Sequence, residues 1–272
     1  MKRRQAGKYS REAGNGGKRI ESGNYLRGQG YTIYEDRDIL VCSKPAGLAV
    51  QSGRISEPDL VSELKNYLAR DGRSVVSVSG AGASVRCGIP AKKQPVYLGV
   101  IHRLDQPVSG LLVFAKNQRA AASLSAQVAK RQLEKIYRAK VYAGADAALP
   151  EDGTVLLQDH MIKLPGGGAR IAEASEAGAK EARLEYRCLE RRENCALVEV
   201  RLDTGRHHQI RVQMANAGMP LLGDARYGSS QSRQASQEMG IRCIQLQAAR
   251  LSFIHPSSGK RVEYELTDKL SF

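Results

Sequence analysis

The chain has 272 residues, 42% of them hydrophobic, and its 42 Lys and Arg outnumber 28 Asp and Glu for a net charge of +14. That length and apolar share are enough for a buried core and exclude wholesale disorder. No apolar run approaches the roughly 20 residues of a bilayer span, and the basic N-terminus has no apolar segment behind it, which excludes a secretory signal. A soluble, cytoplasmic protein is expected. Its positive field suits a polyanion, most commonly a phosphate backbone, with an acidic membrane surface as the competing reading of charge alone. Five cysteines, odd in number and without CxxC spacing, argue against a zinc site or a disulfide framework and predict reduced thiols buried in strands.

Residues 1–28 hold eight Lys/Arg against two Glu among glycines and polar residues, the composition of a flexible basic arm. Such an arm could lie along RNA phosphates or serve as a solubilising tail. Residues 29–272 are expected to form one domain. Ile39, Leu40 and Val41 centre a short strand, and Lys44-Pro45-Ala46-Gly47 is a turn. Residues 59–69 space Leu60, Leu64 and Leu68 for a helix capped by Asp59. Residues 71–97, rich in Gly, Ser and basic side chains, read as an irregular insertion. After "GLLVFAK", Asn117 is placed to cap a helix with Ala121, Leu124 and Val128 on its apolar stripe. "KIYRAKVYA" alternates, with Tyr137, Ala139, Val141 and Ala143 on one face. "ALVEVRLDT" alternates too, with Val198, Val200 and Leu202 inward. "HHQIRVQMANAG" is helical in pattern with Gly218 as its C-terminal stop, and the last stretch reads as strand, turn and strand. Antiparallel strands with interspersed helices predict the α+β class.

"HRLDQPVSGLLVFAK", residues 102–116, sets one carboxylate, Asp105, between a basic pair and a buried strand. This stretch resembles the signature of the RluA-type pseudouridine synthases, and four others resemble the same family in the same order. They are "DILVCSKPAGLAV", "EKIYRAKV", "LDTGRHHQIRVQMANAGMPLLGDARYG" and "LSFIHP". Together the five span residues 31–272. The resemblance implies a pseudouridine synthase catalytic domain, its mixed, mostly antiparallel sheet bearing a central basic cleft. It also implies an enzyme that isomerises a specific uridine in ribosomal or transfer RNA. No cofactor, metal, membrane or protein partner is implied, because the glycosidic bond is broken and re-formed with nothing oxidised or carried away.

Such chemistry needs one ionised carboxylate at the ribose, to attack the anomeric carbon or to take a ribose proton. It is kin to glycoside hydrolysis. The resemblance assigns that carboxylate to Asp105, with Arg211 as the cation that keeps it charged and oriented. The base must also leave its stack. Tyr137 then corresponds to the family's tyrosine stacked on the extruded uracil, Arg103 to the side chain that helps fill the gap, and Ile210 to the apolar residue beside the base. Lys44 and Arg206 are expected at phosphates, and His102 is expected to contribute to substrate binding. Each residue also has an ordinary reading: Asp105 as a turn cap, Tyr137 as a strand aromatic, Arg211 as a surface cation. The three histidines 102, 207 and 208 lack acidic or cysteine partners at metal-ligand spacing.

The match has departures: "HHQ" for Thr-His-Gln, "RVQ" for Arg-Val-His, and Pro-Val after Asp105 where Asp-Thr is frequent. They leave each proposed catalytic group in place and blur the choice of RNA. The small RNA-binding domain that precedes many relatives is expected to be absent. Two other readings compete: an idle RNA-binding or ribosome-assembly factor with the same cleft, and a glycosidase, which requires a second carboxylate.

Overall fold

The first hairpin is built around one carboxylate. Asp36 accepts the backbone N–H groups of Asp38 and Ile39, each at 2.8 Å, and so turns β2 (Thr32–Glu35), which follows β1 (Ala6–Gly7), into β3 (Ile39–Lys44). The computed structural model describes residues 6–7, 31–54, 57–70, 95–144, 147, 149–150, 152–268 and 270–272. Of the expected arm, Ala6 and Gly7 are described and pair with Val155 and Thr154. The rest of that arm, and residues 71–94 of the expected insertion, lie outside the described residues.

Helix α1 (Leu60–Arg70) starts where Asp59 accepts the N–H of Ser62 at 2.7 Å, and Leu60, Leu64 and Leu68 are buried as the spacing predicts. The short β4 (Gly99–Val100) leads to β5 (Ser109–Ala115). Helix α2 (Gln118–Ala129) is capped by Asn117, but its buried face is Ala120, Leu124 and Gln127, while Val128 is exposed. A polar residue displaces the expected valine because Gln127 behaves as a strand partner. Its amide donates to the Ile254 carbonyl and accepts the Ile254 N–H, both at 2.7 Å.

The chain continues through β6 (Glu134–Tyr142), β7 (Thr154–Lys163), β8 (Ala169–Ala172), β9 (Lys180–Arg192) and β10 (Cys195–Leu202). Helices α3 (Gln209–Asn216) and α4 (Ser230–Glu238) follow, then β11 (Leu246–Ile254) and β12 (Arg261–Glu265). One sheet runs in the order β1-β7-β9-β10-β6-β11-β5-β3-β2, with β12 beside β11, β4 beside β5 and β8 beside β7. Among the described pairs only β5 and β11 are parallel. The α+β class is as expected.

Both faces of the central strands are covered, which explains the unbroken apolar run of β5. Leu112 and Phe114 join Leu40, Cys42, Tyr137 and Ala139 in one core, while Leu111 and Val113 join Ile39, Val41 and Phe253 in the other. Gly110 sits where β5 meets β11, at φ 121°, with the Ala248 backbone where a Cβ would be. Ala248 stands opposite Gly110 on one side and Tyr137 on the other. That register carries the Asp105 turn and Tyr137 to the same stretch of sheet. Gly110→Ala is expected to cost about 3 kcal/mol from strained φ and overpacking together. A variant with wild-type thermal stability would contradict this contact.

Of the five cysteines, Cys42 and Cys195 are buried in strands and Cys188 is half-buried, in line with the sequence reading. Cys243 departs from it, lying exposed in the loop before β11, and Cys87 lies outside the described residues.

Candidate active site

Asp105 occupies the turn that launches β5, its carbonyl accepting the Val108 N–H at 3.0 Å. The turn reading is therefore correct for its backbone, while its side chain does something else. It faces a cavity of about 80 Å³ lined by Arg103, Lys135, Tyr137, Arg206, His208, Ile210 and Arg211, among others. Arg211 Nη1 and His208 Nε2 each lie 3.6 Å from the same oxygen, Asp105 Oδ2. Tyr137 reaches the cavity from β6 and Ile210 from α3, both nearly buried. Burial, and then the charge of Asp105, push the Tyr137 hydroxyl upward, so it is a neutral phenol at neutral pH.

Arg211 has a second and tighter partner. Its Nε and Nη2 donate to the two oxygens of Asp224 at 2.7 and 2.9 Å, a buried bidentate pair. Burial opposes the charge on Arg211, but the hydrogen bonds and charge of Asp224 outweigh it and raise the guanidinium pKa. Asp224 also accepts the N–H groups of Arg226 and Tyr227. The turn is closed by Gly223, at φ 75°, against the Cys243 carbonyl. Helix α4 braces it from behind, Ser236 Oγ accepting the Gly223 N–H at 2.9 Å.

The remaining sequence candidates divide. Arg103 is exposed at the rim with no ion pair among the described residues, and Arg206 lines the cavity with its Nε donated to the Glu181 carbonyl at 2.8 Å. Lys44 is not a phosphate contact. It is fully buried, and its three N–H groups donate to the carbonyls of Pro45, Leu48 and Gln106 at 2.9, 2.7 and 3.0 Å. Burial lowers its pKa to about 8, with Asp105 opposing, and its hydrogen bonds join the Pro45–Leu48 turn to the turn that carries Asp105. His102 does not line the cavity either. Its Nε2 accepts the Val113 N–H at 3.4 Å, and burial, followed by the charge of Lys135, pulls its pKa to about 3. Lys135, from the same strand as Tyr137, is a further cavity residue, inside "EKIYRAKV" but with no role that the family resemblance implies. It faces the cavity, with its pKa lowered by burial.

Asp105, His207 and His208 bring one ligand atom each within 4.8 Å. A divalent ion placed there would compete with the Arg211 guanidinium for Asp105 Oδ2, in a cavity that Arg206 also lines. The set is better suited to orienting a carboxylate than to holding a metal.

His208 is drawn down to about 4 by burial, Asp105 opposing and Arg211, His207 and Arg226 adding to the fall. Both His102 and His208 are thus neutral in the folded protein and gain protons on unfolding below their free value of 6.5. Folded-state stability is therefore fully present above that value and drains away as pH falls, by up to about 1.4 kcal/mol per pH unit for each imidazole. The melting temperature should drop between pH 7 and pH 5. A flat Tm over that range would contradict neutral imidazoles.

Among the described residues the cavity has one lining carboxylate, beside a buried phenol and with nitrogens of Arg211 and His208 3.6 Å away, under basic side chains suited to a polyanion. Comparison with known proteins narrows this. Residues 38–216 match the sequence profile of the family described as RNA pseudouridylate synthase. The ribosomal large subunit pseudouridine synthase D of Zymomonas mobilis is 35% identical over 86% of this chain and 67% of its own length. That of Neisseria meningitidis serogroup A is 34% identical over 86% of this chain and 56% of its own. The ribosomal large subunit pseudouridine synthase C of Yersinia pestis is 32% identical over 88% and 66%. The chain thus spans little more than half to two thirds of these relatives. Human RNA Pseudouridylate Synthase Domain Containing 4 shares the fold, with a TM-score of 0.62 at 20% identity over 86% of each chain. This chain belongs to the RNA pseudouridylate synthase family.

Proposed function

We propose that the chain isomerises a uridine of structured RNA to pseudouridine, with Asp105 as its catalytic carboxylate. The observation that carries the reading is Asp105 set within one cavity beside Tyr137 and Arg211, on a chain whose family is an RNA-modifying one. Asp105 acts on the ribose, either at the anomeric carbon or on the neighbouring ribose proton, as the bond to uracil N1 breaks. The freed base turns over against Tyr137 and Ile210 and rejoins through C5. The hydrogen leaving C5 is matched by one gained at N1, so substrate and product are isomers. Arg211, fixed by Asp224, sets its guanidinium 3.6 Å from Asp105 Oδ2, where it orients the carboxylate. The cavity is smaller than the ~300–1,000 Å³ of typical ligand sites, so entry of a flipped nucleotide requires the rim arginines Arg103 and Arg206 to move aside and meet phosphates.

Ribosomal RNA is the favoured substrate because the relatives named above are large-subunit synthases. Residues 29–272 are taken as the catalytic unit and residues 1–28 as a basic extension. The proposal places the protein in the cytoplasm, with its ribosomal RNA substrate. No helix among the described residues is long and apolar enough to cross a membrane.

The test is to map pseudouridines in RNA from cells with and without the gene, and in unmodified transcripts incubated with the purified protein. One or a few sites should vanish in the first comparison and appear in the second. An unchanged map together with inert transcripts would favour the idle RNA-binding factor.

A further inference from the structure

The turn that fixes Arg211 also controls a second neighbour of Asp105. Tyr227 Oη accepts the Ala169 N–H at 2.9 Å and lies 2.7 Å from His208 Nδ1. Among the described residues the phenol has no other acceptor, so its proton goes to Nδ1. A neutral imidazole that accepts at Nδ1 carries its own proton on Nε2. That nitrogen faces Asp105 Oδ2 at 3.6 Å.

Three further features hold the ring in this pose. The His208 backbone is left-handed, at φ 55°, which costs on the order of 1 kcal/mol for a residue with a Cβ and turns the side chain into the cleft. The His207 ring stacks on it with centroids 3.8 Å apart. The Tyr227 ring lies under the Arg211 guanidinium, 4.9 Å from centroid to Cζ. Asp105 Oδ2 is thus approached by two donors, while Oδ1 has no protein partner among the described residues.

We propose that Tyr227 and His208 are positioning residues. Tyr227 locks His208 in the Nε2–H tautomer, and His208 then joins Arg211 in holding Asp105 Oδ2 so that Oδ1 is the oxygen presented to the ribose. The inference rests on Asp105 being the catalytic carboxylate. The 3.6 Å approaches are longer than hydrogen bonds, and the proposal has them shorten when a nucleotide fills the cavity, as donors around catalytic groups commonly do.

Long-range proton–nitrogen NMR of the wild-type protein labelled at histidine nitrogens tests the tautomer without any variant. A proton on Nε2 of His208 at pH 7 is expected, and a proton on Nδ1 would overturn the proposal. Tyr227→Phe keeps the ring beside Arg211 and removes only the hydroxyl. It should give a mixed tautomer and a single-turnover rate about tenfold lower at unchanged RNA affinity. Wild-type tautomer and rate in that variant would sink the inference. Asp105→Asn is run in parallel. If that variant stays active, the catalytic reading itself fails. If it is dead while Tyr227→Phe is fully active, only the positioning role falls.

Discussion

Asp105→Asn is expected to lower the single-turnover rate at least about 10⁴-fold, roughly 5 kcal/mol of transition-state stabilisation, while RNA affinity and the melting temperature stay near wild type. Asparagine fills the same volume and can still face Arg211 and His208, but it offers no negative charge to a ribose losing its base. Among the described residues the site contains no substitute. The other carboxylate nearby, Asp224, is buried with both oxygens bonded to Arg211 and turned from the cavity. Quench-flow release of tritium from a transcript labelled at uridine C5 measures the rate, and filter binding measures the affinity. A loss of tenfold or less would move the chemistry to another group. A large fall in affinity would recast Asp105 as a binding residue.

Asp224→Asn is expected to damage both stability and catalysis. The Asp224 and Arg211 side chains are 1% and 7% exposed, so removing the negative charge leaves a desolvated guanidinium without its bidentate partner. Breaking such a pair from one side costs about 3–5 kcal/mol. At about 2–4 °C per kcal/mol for a domain approaching this size, Tm should fall by about 10 °C. The freed guanidinium then has Asp105 as its nearest carboxylate. Pulling Asp105 toward it would misplace the catalytic oxygen, and about a hundredfold loss in rate is expected, in keeping with the cost of a misplacement near 1 Å. Calorimetry and single-turnover kinetics on the same preparation read both effects. Wild-type Tm and rate would show that Arg211 does not depend on Asp224.

The parts of this molecule that were legible in the sequence are those whose signal is local. The α1 leucines, the Asn117 cap, the alternation of β6 and β10 and the Gly218 stop were all read from spacing and confirmed. Strands β7 and β9 are hidden in the sequence by the charged residues that crowd them, although Ala182, Leu184 and Tyr186 keep the period-two pattern of a half-buried strand. Helix α4 could not be found by apolar periodicity, because its buried positions are Ser232 and Ser236. The cavity shows the same division. The motif placed Asp105, Tyr137 and Arg211 together, and the fold does so through the Gly110–Ala248–Tyr137 register. Lys44 and His102 were misjudged because cationic and imidazole groups look alike in a sequence whether they face RNA or backbone carbonyls and amides. In the proposed account His208 acts on Asp105 directly, Asp224 through Arg211 and Tyr227 through His208. Their roles depend on the Arg211–Asp224 and His208–Tyr227 hydrogen bonds and on the fold bringing Asp105, from a distant segment, to within 3.6 Å of Arg211 and His208, which no local pattern encodes.

The most direct measurement is a crystal structure of Asp105→Asn trapped with an RNA that carries the target uridine. The side chain at position 105 should lie within about 3.5 Å of the anomeric carbon or the adjacent ribose position, with the Tyr137 ring on the face of the everted base. A uridine still stacked in its helix, or a ribose held by other side chains well beyond that reach, would contradict a catalytic Asp105.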